Sequence, residues 1–447
     1  LHFPGACFEI TINANDNTIE VGLKESSPFE TSLRHEGQRR LSEIGGADLV
    51  VCIPSYKNAQ TIGAVIDRAA DGLHTYYSNM RTVIVVVDGG SSDETVHVAM
   101  NRPLPSNVKR FATTYQGIQG KGSAVRAIFE MTRTLGAKAC VVLEADLTSL
   151  SREWIQKLAA PILSGEYDFA VPYYARPLVE DAVTDIIAYP LTRMLYNTDL
   201  RHPMGGDFAV SGAQALKFFE RDVWETDVAR HGIDIWMSTV GINDTVKMCQ
   251  VRLGTKIEDK RESAVSIDPG FIQSVGTLFR MLDIYRKRWP ETRPARSIPF
   301  YGDNMTLDNQ KLTGAITVDM LSDAFHSGVR RYKRFWRTIM VPSHYTAVSE
   351  LDSKPRGATH FPADLWARIV FDFAVVYNKG ETDPDKVVAA LLPIHYARTA
   401  TILRETGAKF DAVEKAVQDQ YSCFVEQKKY LIHRWNTYVP WAVDGVR

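Results

Sequence analysis

The sequence predicts an α/β fold, a mostly parallel sheet with helices on both faces, continued by a helical C-terminal region. Three observations predict it. Three runs are apolar throughout, Asp48 to Ile53 (DLVVCI), Thr82 to Val87 (TVIVVV) and Ala139 to Leu143 (ACVVL), and Phe169 to Val171 adds a fourth; strands without polar alternation are buried on both faces, as parallel strands are. Between them apolar residues recur at helical spacing, in Ile62, Val65, Ile66 and Ala69 and again in Ala124, Ala127, Ile128 and Met131, so covering helices alternate with the strands. Past about Pro290 only helical periodicity remains, around Val318 to Met340, Leu365 to Tyr377, Lys386 to Ala397 and Ala412 to Leu431.

In chain order, residues 1–46 read as an N-terminal extension. They are polar and weakly periodic, with a β pair around Cys7 to Ile12 and Thr18 to Val21, and Lys24 to Arg40, rich in Ser, Glu and Arg, reads as a linker or surface arm. A main α/β domain is expected over 47–290 and the helical region over 291–447. The chain has 447 residues with 45% hydrophobic content, too long for one compact core and apolar enough for two. A net charge of -1 supplies no global field for nucleic acid or anionic lipid, so phosphate recognition must be local. The basic run Arg330, Arg331, Lys333, Arg334 and Arg337 reads as a solvated helix face or an anion grip.

Five cysteines, Cys7, Cys52, Cys140, Cys249 and Cys423, form no CxxC pair and are odd in number, which argues for reduced thiols in a cytoplasmic protein. No stretch approaches the roughly 20 apolar residues of a membrane span, and no basic segment followed by an apolar one opens the chain. The first residue is Leu1 rather than Met, from which a missing start is expected.

In parallel sheets polar ligands bind beyond the carboxyl ends of the strands. Those ends are Pro54-Ser55-Tyr56-Lys57-Asn58, Asp88-Gly89-Gly90 and Glu144-Ala145-Asp146. Glu144 and Asp146 flank a small residue and suit a hard divalent cation that also takes diphosphate oxygens; an acidic pair capping the helix that starts near Ser151 is the plainer reading. Asp88 before Gly-Gly can accept hydrogen bonds from a nucleobase or ribose, or simply make a turn. Lys121 between Gly120 and Gly122 at a helix start suits a diphosphate, and the Walker pattern of an ATPase is absent. Asp234 beside Trp236 offers the carboxylate and aromatic face of a sugar site, or a buried helix position.

The ordered motifs CIPSYKNAQTI, VVVDGGSSDET, QGKGSAVRA and VVLEADLTS resemble the nucleotide-sugar half of the Rossmann-like GT-A glycosyltransferases, with EAD at their metal motif. VTDIIAYPLTRMLY, HPMGGDFAVS, RHGIDIWMS and VRLGTKIEDK resemble the retaining branch that uses phosphoglycerate or glycerate acceptors. The likeness spans roughly Asp48 to Tyr285. It implies a nucleobase loop at Pro54, Ser55, Tyr56 and Asn58, a ribose or uridine contact at Asp88 and Gly89, and a basic nucleotide contact at Lys121. Ala145 stands inside the metal motif and Asp146 matches the principal ligand. Gly205 and Gly206 fall beneath the transferred sugar, with Asp207 and Asp234 contacting its hydroxyls. Glu144 replaces an Asp of the motif, and Glu258 stands where relatives place a metal-binding His; an oxygen ligand there suits Mg²⁺ or Mn²⁺.

On the acceptor side, Ala182 stands where phosphoglycerate-using relatives carry an arginine, which argues for an unphosphorylated acceptor. Thr184 and Arg193, or Arg201, are the expected carboxylate contacts. The expectation is therefore a metal-dependent hexosyltransferase, a homodimer without nucleic-acid or membrane-spanning partners. It would move glucose or mannose with retention from a nucleoside diphosphate sugar donor to a small hydroxy-acid acceptor, UDP-glucose and D-glycerate foremost, for a compatible solute. The alternatives are a synthase of the same branch that takes phosphoglycerate or transfers mannose to glycerate, an inverting GT-A transferase using Asp207 or Asp234 as base, and a non-catalytic sugar-nucleotide binder; the Gly-rich, Arg-Lys phosphate loop of a nucleotidyltransferase is absent after Ile53.

Overall fold

The computed structural model describes residues 7–13 and 18–24 as backbone, and 30–259, 269–291, 294–302, 312, 314–354 and 360–439 with side chains. An antiparallel hairpin opens it, β1 (Cys7–Asn13) with β2 (Thr18–Lys24), as expected. Residues 25–29 of the expected linker lie outside the described residues, but its remainder is not a linker. Helix α1 (His35–Ile44) forms there and buries Leu41. Ahead of it, Ser32 donates through its backbone N–H to Glu130, and Leu33 bridges Tyr115. The amphipathic spacing of α1 is masked in sequence by four charged residues on its exposed face, Glu36, Arg39, Arg40 and Glu43.

The first half of the sheet domain alternates β3 (Leu49–Ser55), α2 (Ile62–Tyr77), β4 (Thr82–Asp88), α3 (Thr95–Asn101), β5 (Val108–Thr114), α4 (Lys121–Thr134), β6 (Ala139–Val142) and α5 (Arg152–Leu163). Then come β7 (Phe169–Ala175), α6 (Leu178–Val183), a π-helical turn (Thr184–Ala188), α7 (Tyr189–Tyr196), β8 (Thr198–Asp199), β9 (Phe208–Ser211), α8 (Gly212–Phe219), α9 (Ile233–Asn243) and β10 (Met248–Thr255). Eight strands make one sheet in the order β12-β10-β7-β9-β6-β3-β4-β5, where α10 (Pro269–Ile284) and β11 (Arg296–Ser297) precede β12 (Phe300–Tyr301). All pair in parallel except β9, which runs against both neighbours. The continuous apolar runs are buried at every position of β4 and β6, with helical layers on either face. Cys52, Cys140 and Cys249 are buried free thiols in this core.

The helical region comprises α11 (Val318–Ile339), α12 (Pro342–Asp352), α13 (Ala363–Lys379), α14 (Pro384–Thr406), α15 (Phe410–Glu426) and α16 (Lys428–Asn436). The periodic stretch read as one helix from Ala412 to Leu431 is two, broken at Gln427. Helix α13 is apolar on most sides and buried among its neighbours. Its Trp366 ties the region to the sheet domain. Pro190 has no N–H for the carbonyl of Ile186 four residues before it, and Trp366 Nε1 donates to that carbonyl at 2.8 Å instead. Among the described residues no helix is long and apolar enough to cross a membrane.

Candidate active site

Parallel register sets the ends of β3 and β4 side by side, Ser55 opposite Asp88, and Leu143 beyond β6 donates its N–H to Cys52 of β3. The three expected strand ends therefore share one rim. They bound a cavity of about 500 Å³. Pro54, Ser55, Tyr56, Asn58 and Gly89 form one wall, Tyr115, Gln119, Gly120 and Lys121 another, and Glu144, Ala145 and Asp146 with the exposed His231 close it. Tyr115, Gln119 and His231 had no sequence-based assignment. Tyr115 sits just past the edge strand β5, whose alternating pattern gave a weaker signal than the buried strands.

Asp88 is not offered to a ligand. Its carboxylate accepts from Ser55 Oγ at 3.0 Å, from the N–H groups of Gly90 and Ser91 at 2.9 and 2.7 Å, and from Ser91 Oγ at 2.6 Å. Short polar side chains and backbone amides of its own turn thus consume it, the outcome such turns favour. Gly89, by contrast, lines the cavity, and its carbonyl accepts from Gln119 Nε2 at 3.1 Å.

Lys121 opens α4, and the glycine after it is a packing requirement. A Cβ on Gly122 would lie 1.8 Å from the Val228 carbonyl oxygen, while its N–H donates to the Arg230 carbonyl at 2.9 Å. This close approach brings the 228–234 segment against Lys121. The Lys121 ammonium reaches Asp234 and Glu144, each at 2.8 Å. Burial works against its charge, but those two carboxylates outweigh it and raise its pKa.

Glu144, Asp146 and Glu258 come together as expected, each offering a carboxylate oxygen within 4.8 Å of the others. Residues 257–259 lie along 146–148 through an isolated bridge of Leu147 with Glu258 and the N–H of Asp259 to the Asp146 carbonyl. An all-carboxylate donor set has the hard-oxygen chemistry that fits Mg²⁺ or Mn²⁺. The three differ electrostatically. Glu144 is buried against its charge, yet Lys121 and Lys256 hold it well below the usual carboxylate range. Asp146 makes no ion pair among the described residues, and burial, then Glu144 and Glu258, push it up to about 7.

Lys256 had no sequence-based assignment. It has no exposed surface and donates to the carboxylates of Glu144, Asp207 (2.8 Å) and Glu258 (2.9 Å) and to the Gly205 carbonyl (3.1 Å). Arg176 takes the other oxygen of Glu258 at 2.8 Å.

Asp207, expected to touch the transferred sugar, is fully enclosed. It accepts from the Glu144 N–H at 2.9 Å, from Tyr174 OH and from Lys256, so its carboxylate is turned to the Glu144 backbone and has no surface open to the cavity. Gly206 explains how the loop fits: its φ is +83°, and a Cβ there would fall 2.5 Å from Glu144 Oε1. Gly205 is likewise closed off, packed on Pro172.

The expected acceptor residues are engaged elsewhere. Thr184 is buried in the π-helical turn. Arg193 pairs with Asp199 at 2.9 Å, donates to Gln418 Oε1 at 2.7 Å and lies 4.1 Å over the Tyr421 ring, clamping α7 to α15. Arg201 is buried between Asp185 and Glu414. Trp236 is no sugar platform either. It packs in the core against Phe218 and Trp224.

Residues 50–202 match the family model of glycosyl transferase family 2. No curated protein matches the chain. Among solved structures, glucosyl-3-phosphoglycerate synthase from Mycobacterium tuberculosis, in complex with Mn²⁺, uridine diphosphate and glucosyl-3-phosphoglycerate, is 19% identical with a TM-score of 0.41, over 57% of this chain and 85% of that one. The same synthase with Mg²⁺ and uridine diphosphate gives 19% and 0.40, over 57% and 84%. A mycobacterial protein gives 19% and 0.42, over 62% and 83%.

Proposed function

We propose that this protein is a metal-dependent glycosyltransferase that moves a hexose from a nucleoside diphosphate sugar to a small hydroxylated acceptor. One observation carries the reading: a single cavity joins an aromatic and backbone wall, a lysine at a helix N-terminus and a carboxylate cluster fit for a divalent cation. The match of residues 50–202 to the family model supports it, because that stretch holds the Tyr56 loop, Lys121 and Glu144 to Asp146.

Half-exposed Tyr56 and the Gly89 backbone would flank the nucleoside. The diphosphate would lie over the start of α4, where Lys121 and the positive end of the helix dipole favour negative charge. Mg²⁺ or Mn²⁺, held by Asp146 with Glu144 and Glu258 nearby, would stabilise charge on the departing diphosphate. Asp207 fixes the Glu144 backbone, and Lys121 fixes Asp234.

Retention is the stereochemistry we favour. Inversion needs a free carboxylate base across from the donor, and Asp207 is enclosed while Asp234 is held by Lys121. UDP-glucose and glycerate are the proposed substrates, on the motif resemblance and on Ala182 in place of a phosphate-binding arginine. Calorimetry with UDP-glucose and GDP-mannose, with and without Mn²⁺, followed by NMR of the product linkage, tests the reading. An α-linked glucoside of glycerate supports it. A β linkage removes retention, and binding without transfer to any hydroxy acid leaves a sugar-nucleotide binding protein.

A further inference from the structure

We propose that Lys256 is a positioning residue, an internal cation that occupies the carboxylates around Asp146 and so makes divalent-cation binding depend on a nucleoside diphosphate. The inference rests on the glycosyltransferase reading above. It begins at the end of β10, where residues 257–259 turn back along 146–148 and leave Lys256 beneath the rim. A lysine with no exposed surface loses its hydration and must be repaid by partners. Four oxygens, from Glu144, Asp207, Glu258 and the Gly205 carbonyl, surround three N–H donors, and the Tyr174 ring lies 5.0 Å from the ammonium.

The consequence appears when the carboxylate oxygens are followed one by one. Glu144 gives Oε1 to Lys121 and Oε2 to Lys256. Glu258 gives Oε1 to Lys256 and Oε2 to Arg176. Both glutamates of the three-carboxylate cluster are thus already committed at each oxygen to a protein cation. Asp146 alone makes no ion pair among the described residues. An arriving divalent ion finds one uncommitted carboxylate and an ammonium close by, a poor site by itself. Mg²⁺ and Mn²⁺ settle for one or two carboxylates when substrate phosphate completes the shell, so the diphosphate becomes the missing ligand. Donor and cation then bind as a linked pair.

The test titrates Mn²⁺ into the full chain by electron paramagnetic resonance of the free ion, with and without UDP, in the native protein, Lys256→Met and Lys256→Arg. The native protein is expected to bind Mn²⁺ at least about tenfold more tightly with UDP than without. Lys256→Met should bind Mn²⁺ alone about tenfold more tightly than the native protein and lose most of the UDP dependence, while Lys256→Arg keeps it. Equal native affinity with and without UDP, or unchanged nucleotide-free affinity in Lys256→Met, overturns the proposal. Circular dichroism checks the fold of Lys256→Met. Should that variant not fold, the native titration decides alone, tight nucleotide-free Mn²⁺ binding refuting the role. UDP binding followed separately by calorimetry reports on the glycosyltransferase reading itself: its absence defeats that reading, while the nucleotide-free arms still judge Lys256.

Discussion

Glu144 and Asp146 stand two residues apart on one turn in opposite electrostatic states. The first is held well below the usual carboxylate range by Lys121 and Lys256, while the second lacks a cation partner among the described residues and is pushed up to about 7 by burial and by Glu144 and Glu258. A short spacing in sequence thus separates a committed carboxylate from an available one.

Replacing Asp146 by Ala should therefore abolish transfer without disturbing the fold. A loss of about a thousandfold in kcat, roughly 4 kcal/mol of transition-state stabilisation, is expected, together with loss of UDP-dependent Mn²⁺ binding. Unchanged turnover would remove Asp146 from the reaction.

The same residue sets a pH dependence. Its folded pKa is about 7 against an ordinary 3.8, so between those values the native state binds the proton more tightly than the unfolded chain. Stability of the metal-free protein is then undiminished below pH 3.8, falls as pH rises, and carries the full penalty above pH 7. Asp146→Asn should stabilise the metal-free protein at pH 8 by on the order of 1–2 kcal/mol and have little effect at pH 4. Thermal denaturation at the two pH values measures the difference. Mn²⁺ affinity in the presence of UDP should rise with pH through 7, since proton and ion compete for one carboxylate.

Gly206→Ala tests the loop beneath Glu144. The left-handed backbone and the contact of an added Cβ with the carboxylate should cost about 1–3 kcal/mol and displace Glu144. Activity should fall further than stability alone accounts for, as kcat measured well below the melting temperature will show.

Arg193→Ala separates a clamp from an acceptor contact. With Asp199, Gln418 and Tyr421 as its partners, its removal should lower stability by about 1 kcal/mol and leave the acceptor KM unchanged. A large rise in that KM would restore Arg193 to the acceptor site.

Asp372→Ala should unfold the helical region most readily. This fully buried carboxylate accepts from His344 Nδ1 at 2.7 Å, from Arg434 Nε at 3.3 Å and from Tyr430 OH. Stranding those donors should cost about 3–5 kcal/mol, seen as a lower denaturation midpoint.

Much of this frame is legible in the sequence because buried parallel strands are apolar without interruption. LVVCI, TVIVVV and ACVV admit no other position, and their ends locate the rim. The carboxylates at 144, 146 and 258 are legible too, since their chemistry is local to short motifs. What escapes depends on pairing between distant segments. Lys256 reads as an ordinary lysine in LGTKIED until β10 lies beside β7 and carries it under Gly205. Asp88 and Asp207 look like ligand contacts until neighbouring hydroxyls, amides and an ammonium are seen to consume them. Strand β9 is only four residues long, and β5 alternates as an edge strand does, so neither matches the buried-strand pattern.

The reversed direction of β9 has a further effect. Because it lies between β7 and β6, the chain leaves the sheet at the end of β7 and re-enters it next door, so residues 176–207 form an excursion moored at both ends to adjacent strands. Both moorings also touch the carboxylate cluster, Arg176 at the exit through Glu258 and Gly206 with Asp207 at the return through Glu144, so a change of length in the excursion has to be absorbed between residues 177 and 204.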